Sequence, residues 1–165
     1  MNFAVIKLIG ARAIAFGSAL VLSLAVVSSR PRFKERRQRY FADAVSTDSL
    51  SRMQLLHLAG ANVNSNAASR RPLFLAASEG RLRAVRYLLD EGADVNAHET
   101  DGNTALSEAT FYGHAPVIKE LLARGANVNA VTGAGTALDI AINRNNLAII
   151  EMLRHYGARR AEEIR

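Results

Sequence analysis

The sequence contains no cysteine and no tryptophan, and aromatic residues make up only 6% of its 165 positions. Without cysteine there can be no disulfide bond, thiolate-ligated zinc, iron–sulfur cluster or thiol nucleophile. The scarcity of aromatic rings leaves few platforms on which the bases of a single-stranded nucleic acid could stack. The remaining composition, 49% hydrophobic and 22% charged, is close to the globular average and fits one small domain with an appendage.

The positive charge is confined to the N-terminal end of the chain. The formal net charge is +6, yet residues 1–39 hold eight basic side chains and one acidic one, whereas residues 40–165 hold thirteen basic and fourteen acidic side chains. A nucleic-acid-binding domain carries its basic residues on the folded surface. The nearly neutral body therefore argues against a nucleic-acid partner.

Residues 13–29 form a run without any charged side chain, and the basic segment RPRFKERRQR follows at once. As a helix the run is ~25 Å long, and it reaches the ~30 Å hydrocarbon core of a bilayer if the helix begins near Phe3. Lys7 and Arg12 would then extend towards the headgroups. We expect residues 1–29 to be a transmembrane anchor and residues 30–39 a basic juxtamembrane linker. The basic residues after the run favour a cytoplasmic position for the repeat domain, residues 40–165.

Two other interpretations of this segment stay open. The two positive charges, the apolar run and the small residues Ser28 and Ser29 also fit a signal peptide, whose removal would leave a periplasmic or secreted protein. The third interpretation is a buried helix of the domain itself, although no polar face interrupts the run.

The body of the chain repeats with a period near 33 residues. The segment GANVN at 60–64 returns as GADVN at 92–96 and as GANVN at 125–129, and a truncated copy begins at Gly157. An apolar pair precedes each copy: Leu55-Leu56, Leu88-Leu89, Leu121-Leu122 and Met152-Leu153. Such a period indicates a solenoid whose units bury their apolar faces only against neighbouring units.

These units resemble the ankyrin repeat family. The second unit reads RPLFLAASEG at 71–80, the third carries DGNTAL at 101–106 and the fourth carries TALDIA at 136–141. The resemblance covers about residues 38–162 and implies an all-α solenoid of about four stacked helix-turn-helix units, with a separate hydrophobic helix before them. The first unit is degenerate, and its helices are expected near residues 37–46 and 49–57.

Local sequence preferences agree with these units. Thr104 and Thr136 can cap the first helix of their units, and Pro72 suits a first helical turn. Asn145 stands where the fourth unit lacks a glycine, and asparagine tolerates a positive φ. Three glycines follow the second helices, where a residue with positive φ is favoured: Gly92, Gly125 and Gly157.

The units depart from the family pattern at its usual histidine. That position is occupied by Phe74, Ser107 and Asp139, so the hydrogen-bond network that the family builds there is not expected in its usual form. In addition, Glu108 stands where the family usually has an apolar residue.

No catalytic or metal-binding pattern emerges from the remaining residues. His98-Glu99 lacks the second histidine of a zinc-protease helix, because position 102 is glycine. The segment that starts at Asp94 lacks the later ligands of a calcium loop. The four histidines show no i, i+4 spacing. We therefore expect no enzyme activity, no cofactor, no metal and no small-molecule substrate.

The resemblance implies a protein-binding surface. Proteins of this family bind partners through their turn tips and the exposed ends of their first helices, which line a concave groove. Carried over position by position, the tips are Arg70, Thr100, Asp101, Asn103 and Thr132, and the helix ends are Ser78, Glu79, Phe111, Tyr112, Asn143 and Arg144. The two aromatic residues stand out because exposed aromatic side chains are favoured in interfaces. Phe111 could equally pack under the neighbouring unit, and Glu108 could belong to the same surface or be a solvated acid.

Two functional hypotheses follow from the sequence. The first is a membrane-tethered, non-enzymatic ankyrin-repeat protein that binds another protein through this surface. The second is an exported protein that acts outside the cytoplasm, after cleavage of a signal peptide, as a stress-protective or toxin-neutralising factor.

Overall fold

The computed structural model describes residues 31–66 and 70–164, with side chains from residue 34 onwards. First helices pack on first helices throughout, and second helices pack on second helices in the first three units, so that four helix pairs stack as a solenoid. This confirms the predicted repeat architecture. The pairs are α1 (Pro31–Ser46) with α2 (Leu50–Leu58), α3 (Pro72–Ser78) with α4 (Leu82–Asp90), α5 (Ala105–Phe111) with α6 (Ala115–Ala123), and α7 (Ala137–Asn143) with α8 (Leu147–His155).

The turns between units carry little regular structure. A short 3₁₀ helix, Ala161–Glu163, closes the C-terminal end. The described part of the chain contains no β-strand, only two isolated bridges, His98 with Thr104 and Thr132 with Gly135. Regular secondary structure in the described residues is therefore almost entirely helical.

The first helices approach one another closely because they carry alanine at one equivalent position. This alanine is almost completely buried in all four units: Ala44, Ala76, Ala109 and Ala141. A side chain of one carbon lets adjacent helices close the gap without leaving a void.

The second helices supply the larger apolar side chains of the core. In α4, Val85 and Leu88 are buried, and in α8, Ile149 and Leu153 are buried. In α6 the buried set is Val117, Ile118, Leu121 and Leu122. Removing one of these side chains would leave a cavity between two units and cost about 2–5 kcal/mol of stability.

Both predicted threonine caps are present, and each is completed by the residue at the family's histidine position. Thr104 Oγ1 accepts a hydrogen bond from the backbone N–H of Ser107, whose Oγ accepts from the N–H of Thr104. Thr136 and Asp139 form the same reciprocal pair. A capping box satisfies two backbone donors that the helix itself leaves open.

The residues predicted to have positive φ all do. Gly92, Gly125 and Gly157 have φ between +78° and +85°, and Asn145 has φ of +53°. In the first unit this last position is Asp48, with φ of +51°. Asparagine and aspartate are the side-chain-bearing residues that adopt this conformation most readily.

The N-terminal end differs from the expectation. Helix α1 begins at Pro31, six residues before the expected start, so residues 31–39 of the expected basic linker are the first half of a helix. Gln38 is only 4% exposed and Phe41 is fully buried, so this helix is part of the folded domain. The expected hydrophobic helix at 1–29 lies outside the described residues. Among the helices that are described, none is long and apolar enough to cross a bilayer.

Candidate protein-binding surface

The turns of the array are joined by a ladder of asparagine side chains. Asn96 Nδ2 donates to the carbonyl oxygen of Gly125 at 3.1 Å, and Asn96 Oδ1 accepts from the N–H of Asn127 at 2.7 Å. Each asparagine thus binds the backbone of the following unit and fixes the spacing of consecutive turns. The same two bonds recur from Asn64 to Gly92 and Asp94 and from Asn129 to Gly157 and Arg159.

Gln38 takes over this role at the N-terminal end of the ladder. Its Oε1 accepts from the N–H of Asn62 at 3.1 Å and its Nε2 donates to the carbonyl oxygen of the same residue at 2.8 Å. Arg37 Nη1 adds a bond to the carbonyl oxygen of Ala59 at 2.8 Å. Both side chains belong to the segment expected to be a basic linker, and both bond to the turn that follows α2.

The second unit lacks a threonine cap and receives its hydrogen bond from the next unit. Phe74 cannot complete a capping box, and the N–H of Arg71 donates instead to Glu99 Oε1 at 2.7 Å. Glu99 lies in the following turn and is buried, although it was considered in the sequence only as half of a rejected zinc pattern. This bond ties the tip of the third unit to the start of α3.

The residues at the ends of the first helices form a row across the units. Glu79, Tyr112 and Arg144 are the C-terminal caps of α3, α5 and α7. Glu79 Oε1 accepts a hydrogen bond from Ser46 of the preceding unit at 3.1 Å. Arg144 reaches back in the same direction, and its guanidinium carbon lies 4.5 Å from the ring centroid of Phe111. The row passes from an acid through an aromatic ring to a base.

Phe111 and Tyr112 lie in the middle of this row and are 44% and 51% exposed. Their rings meet edge to face with centroids 5.1 Å apart. Tyr112 also stacks on the imidazole of His114 at 6.3 Å. Phe111 is therefore covered on one side by Arg144 and is not packed under the next unit, so the pair remains accessible.

The turn tips hold a second group of polar residues. Asp101 accepts hydrogen bonds from the backbone N–H and the Nδ2 of Asn103, which makes this tip a compact turn. Thr100 is exposed beside it. Arg70 lies over the ring of Phe74, with 5.1 Å between the guanidinium carbon and the centroid. Thr132 is different, because it is buried and bonded within its own turn.

Glu108 lies between the tips and the helix ends and is half-buried. Burial raises the pKa of its carboxyl group, the charge of Arg70 lowers it, and the charge of Asp101 raises it, with a net increase. Asn103 Nδ2 donates to Glu108 Oε1 at 3.4 Å. Glu108 is therefore held beside the tip residue Asn103 at some electrostatic cost.

The remaining candidates occupy the same edge. Ser78 Oγ donates to the carbonyl oxygen of Leu75, and Asn143 is exposed at the end of α7. The predicted residues thus lie in two adjacent rows, tips and helix ends, which can offer hydrogen bonds, opposite charges and aromatic area to a partner. Among the residues that are described, no group of three or more histidine, aspartate or glutamate side chains could hold a metal ion.

Comparison with known families agrees with this architecture. The family model for ankyrin repeats in three copies matches residues 41–132, which is more than half of the chain. The chain belongs to the ankyrin repeat family. The match ends before the fourth ankyrin unit, yet α7 and α8 repeat the geometry of the earlier pairs, with the same cap at Thr136 and the same core positions.

The chain is also similar to several curated proteins. It is 43% identical to human "Ankyrin repeat and KH domain-containing protein 1" over 89 residues, which cover 52% of this chain and 4% of that protein. It is 46% identical to human "Ankyrin repeat domain-containing protein 49" over 63 residues, 38% of this chain and 26% of that protein. The "Probable E3 ubiquitin-protein ligase XBOS33" of Oryza sativa subsp. japonica is 32% identical over 120 residues, 70% of this chain and 23% of that protein.

These similarities concern the ankyrin units. The matched segments span between 4% and 26% of the lengths of those three relatives. The matched segment is 23% of the ligase XBOS33 and 10% of "Palmitoyltransferase akr1" of Schizosaccharomyces pombe. The enzyme names therefore describe those longer proteins.

Sequence reasoning missed the asparagine ladder, Gln38 and Glu99. The sequence did contain one signal for the ladder. The same repeat position is asparagine in three units, as Asn64, Asn96 and Asn129. A polar residue that recurs at one repeat position indicates a bond that recurs as well. Nothing comparable marks Gln38 or Glu99, which act at single places in the ankyrin array.

Proposed function

We propose that this protein is a non-enzymatic ankyrin-repeat module that is tethered to a membrane and binds another protein through its turn tips and first-helix ends. The binding surface comprises Arg70, Ser78, Glu79, Thr100, Asp101, Asn103, Phe111, Tyr112, Asn143 and Arg144. Its centre is the aromatic pair of the third unit.

The observation that carries the proposal is the exposure of Phe111 and Tyr112 on a rigid helix end. Large aromatic side chains dominate binding energy when a partner covers them, and they lose little conformational freedom on binding. The charges of Glu79 and Arg144 on either side give the surface a direction, so a partner with a base at one end and an acid at the other fits in only one orientation.

The test compares capture of partners by the wild-type chain and by a Phe111→Ala, Tyr112→Ala double variant. A photo-crosslinking amino acid at position 112 first identifies the protein in contact with this row, with position 156 as the control, because Tyr156 is exposed at the end of α8. The double variant is expected to lose at least roughly tenfold in affinity for that protein. Tyr156→Ala should bind like the wild type.

Unchanged capture by the double variant, with an unaltered helical circular-dichroism spectrum, would refute the binding site. Adducts that form equally at positions 112 and 156 would also refute it, because they would show contact without preference for the aromatic pair.

The membrane tether is supported by the uncharged run at 13–29 and the basic residues that follow it. A reporter fused after Arg165, active on only one side of the membrane, tests the proposed cytoplasmic position of the ankyrin units. The alternative is export after signal cleavage, and mass spectrometry of the mature N-terminus distinguishes the two. A mature chain starting near Ser29 or Arg30 would replace the tether with export.

A further inference from the structure

The N-terminal end of the array differs in composition from every internal junction. Tyr40 in α1 occupies the position that Pro72, Ala105 and Ala137 occupy in the later first helices, counted back from the helix ends. Those three residues are buried, whereas Tyr40 is 56% exposed. Tyr40 is therefore open at the N-terminal end of the array, at a position that is covered in each later unit.

The second helix of the first unit shows the same difference. Arg52 in α2 is equivalent to Ala84, Val117 and Ile149, which are at most 1% exposed. Arg52 itself is exposed. A further ankyrin unit stacked here would have to bury the guanidinium group of Arg52, whereas an internal junction buries an apolar side chain at this position, and burying a charge is costly. The end face is built for something other than another repeat.

A groove of about 280 Å³ runs across this face, between α1 and α2. It is lined by Tyr40, Asp43, Arg52, Leu55 and Leu56. Leu55 is 67% exposed, and Leu58, one helical turn further along α2, is 68% exposed. Two leucines and a tyrosine so accessible at one end of a small domain form an apolar surface that lacks a partner within the described part of the chain.

Basic side chains surround this apolar surface. Arg36, Tyr40 and Asp43 lie at i, i+4 and i+7 of α1 and so share one side of the helix, with Arg39 next to them. Arg36 and Arg39 are both exposed. With Arg52, the face carries three arginines against the single carboxylate of Asp43. A second copy of the chain placed face to face would bring two such basic sets together, so like charges oppose that occupant.

The position of the face in the chain indicates its occupant. The uncharged run of the sequence ends at Ser29, two residues before the first residue of α1. If that run lies in a bilayer, as the proposed function holds, the first unit is the part of the domain nearest to the headgroups. Tyrosine, leucine and arginine together are the composition of surfaces that lie in the interfacial region of anionic membranes.

We propose that the end face formed by Arg36, Arg39, Tyr40, Arg52, Leu55 and Leu58 docks onto an anionic lipid surface. The inference rests on the proposed tether, and it adds an orientation. The later units stack away from the membrane, at roughly 10 Å per unit. Phe111 and Tyr112, two units from the docked face, remain open to a partner.

The absence of cysteine makes a direct test simple. A single cysteine placed at Leu58 in the full-length chain, labelled with an environment-sensitive fluorophore, reports on the end face. His155 is the matched control, because it is exposed at the same repeat position of the last second helix. Both labelled chains are reconstituted into phosphatidylcholine nanodiscs with and without phosphatidylserine.

The expected result is a blue shift of the Leu58→Cys label that requires phosphatidylserine and is lost at high salt, with no shift at His155→Cys. Replacing Arg36, Arg39 and Arg52 by glutamine should abolish the shift. The matched charge control replaces Arg83, Lys119 and Arg154, exposed residues of the second helices, by glutamine and should retain it. Circular dichroism of both triple variants verifies that they are folded.

Several outcomes would overturn the inference, and they are distinguishable. No shift at position 58 in a membrane-inserted chain, or equal shifts at positions 58 and 155, would exclude docking through this face. A concentration-dependent shift in detergent without lipid would instead assign the face to a second copy. Failure of the full-length chain to insert into phosphatidylcholine alone would refute the tether itself, and the inference with it.

Discussion

The imidazole Nε2 of His114 lies 3.0 Å from the carbonyl oxygen of Ser78, 36 residues earlier in the chain. The same ring covers Gly80, where a methyl group would lie 2.7 Å from His114 Nδ1. The start of α6, in the third unit, thus packs against the end of α3, and the close contact requires a residue without a side chain at position 80.

This contact predicts that Gly80→Ala is more destabilising than Gly92→Ala. Both glycines have positive φ, +70° and +82°, so both substitutions incur a backbone strain of about 1–2 kcal/mol. No atom lies within 4 Å of the Cβ position at Gly92, whereas Gly80→Ala also displaces the imidazole, at a further cost of about 1–3 kcal/mol. Urea unfolding measures both. Equal losses of stability in the two variants would show that the His114 imidazole moves aside without a measurable energetic cost.

The asparagine ladder predicts a loss of stability for Asn96→Ala. The substitution removes the side-chain bonds to the carbonyl oxygen of Gly125 and the N–H of Asn127, and because these bonds are exposed and water can replace them, the cost should be about 0.5–1.5 kcal/mol. Asn96→Asp keeps the acceptor and loses the donor, so an intermediate loss is expected. Asn143→Ala, at an exposed helix end, serves as the control. If Asn96→Ala had a Tm as high as that of the control, the ladder would not contribute to the stability of the array.

The environment of Asp139, near the C-terminal end, predicts that the stability of the fold depends on pH. Burial raises the pKa of its carboxyl group, but hydrogen bonds from the N–H of Ala161, from Thr136 and from Arg160 lower it more, so the net change is downward. A carboxylate with a lowered pKa stabilises the fold above its unfolded-state pKa, and this contribution disappears as the pH falls through the folded-state value.

Asp139→Asn should therefore lower the free energy of unfolding by about 1–2 kcal/mol near neutral pH and by progressively less in acid. Thermal unfolding of both proteins across the acidic range measures the difference. Glu151→Gln, a charge change at an exposed position of α8, is the control. A difference that stays constant down to the most acidic pH would mean that the carboxylate charge is not what matters.

Glu108 predicts a pH dependence of the opposite sign. Its pKa is raised, mainly by burial, so the ionised carboxylate destabilises the folded state above its unfolded-state pKa and the penalty is relieved as the pH falls. Glu108→Gln should raise the Tm slightly near neutral pH and converge with the wild type in acid. A lower Tm for Glu108→Gln near neutral pH would show that the charge of Arg70 outweighs burial.

Features with partners close in the chain were predictable from the sequence. The caps at Thr104 and Thr136 have partners three residues away, and the positive φ of Asn145 depends only on its own backbone. Local propensity is sufficient for such features, because the residues that decide them lie within one helical turn.

Features that depend on stacking were not predictable. Asn96 and Gly125 are 29 residues apart and meet only when two units are in place. The first half of α1 reads as a charged linker, yet it is helical in the fold, and Gln38 within it bonds to the backbone of Asn62, 24 residues away. The contact of Phe111 with Arg144 likewise joins residues of two units, 33 positions apart in the chain. Single-sequence reasoning does not reach such distances.

The asparagine ladder has a direction, because each asparagine side chain bonds to the backbone of the unit that follows it. Deleting the last unit would leave the side-chain amide of Asn129 without its two backbone partners and exposed to water. Adding a unit upstream would require its last turn to supply the bonds to Asn62 that Gln38 now makes. Changes in repeat number are therefore easier to accommodate downstream, and gains or losses of whole units among close kin of this protein should accumulate at its C-terminal end.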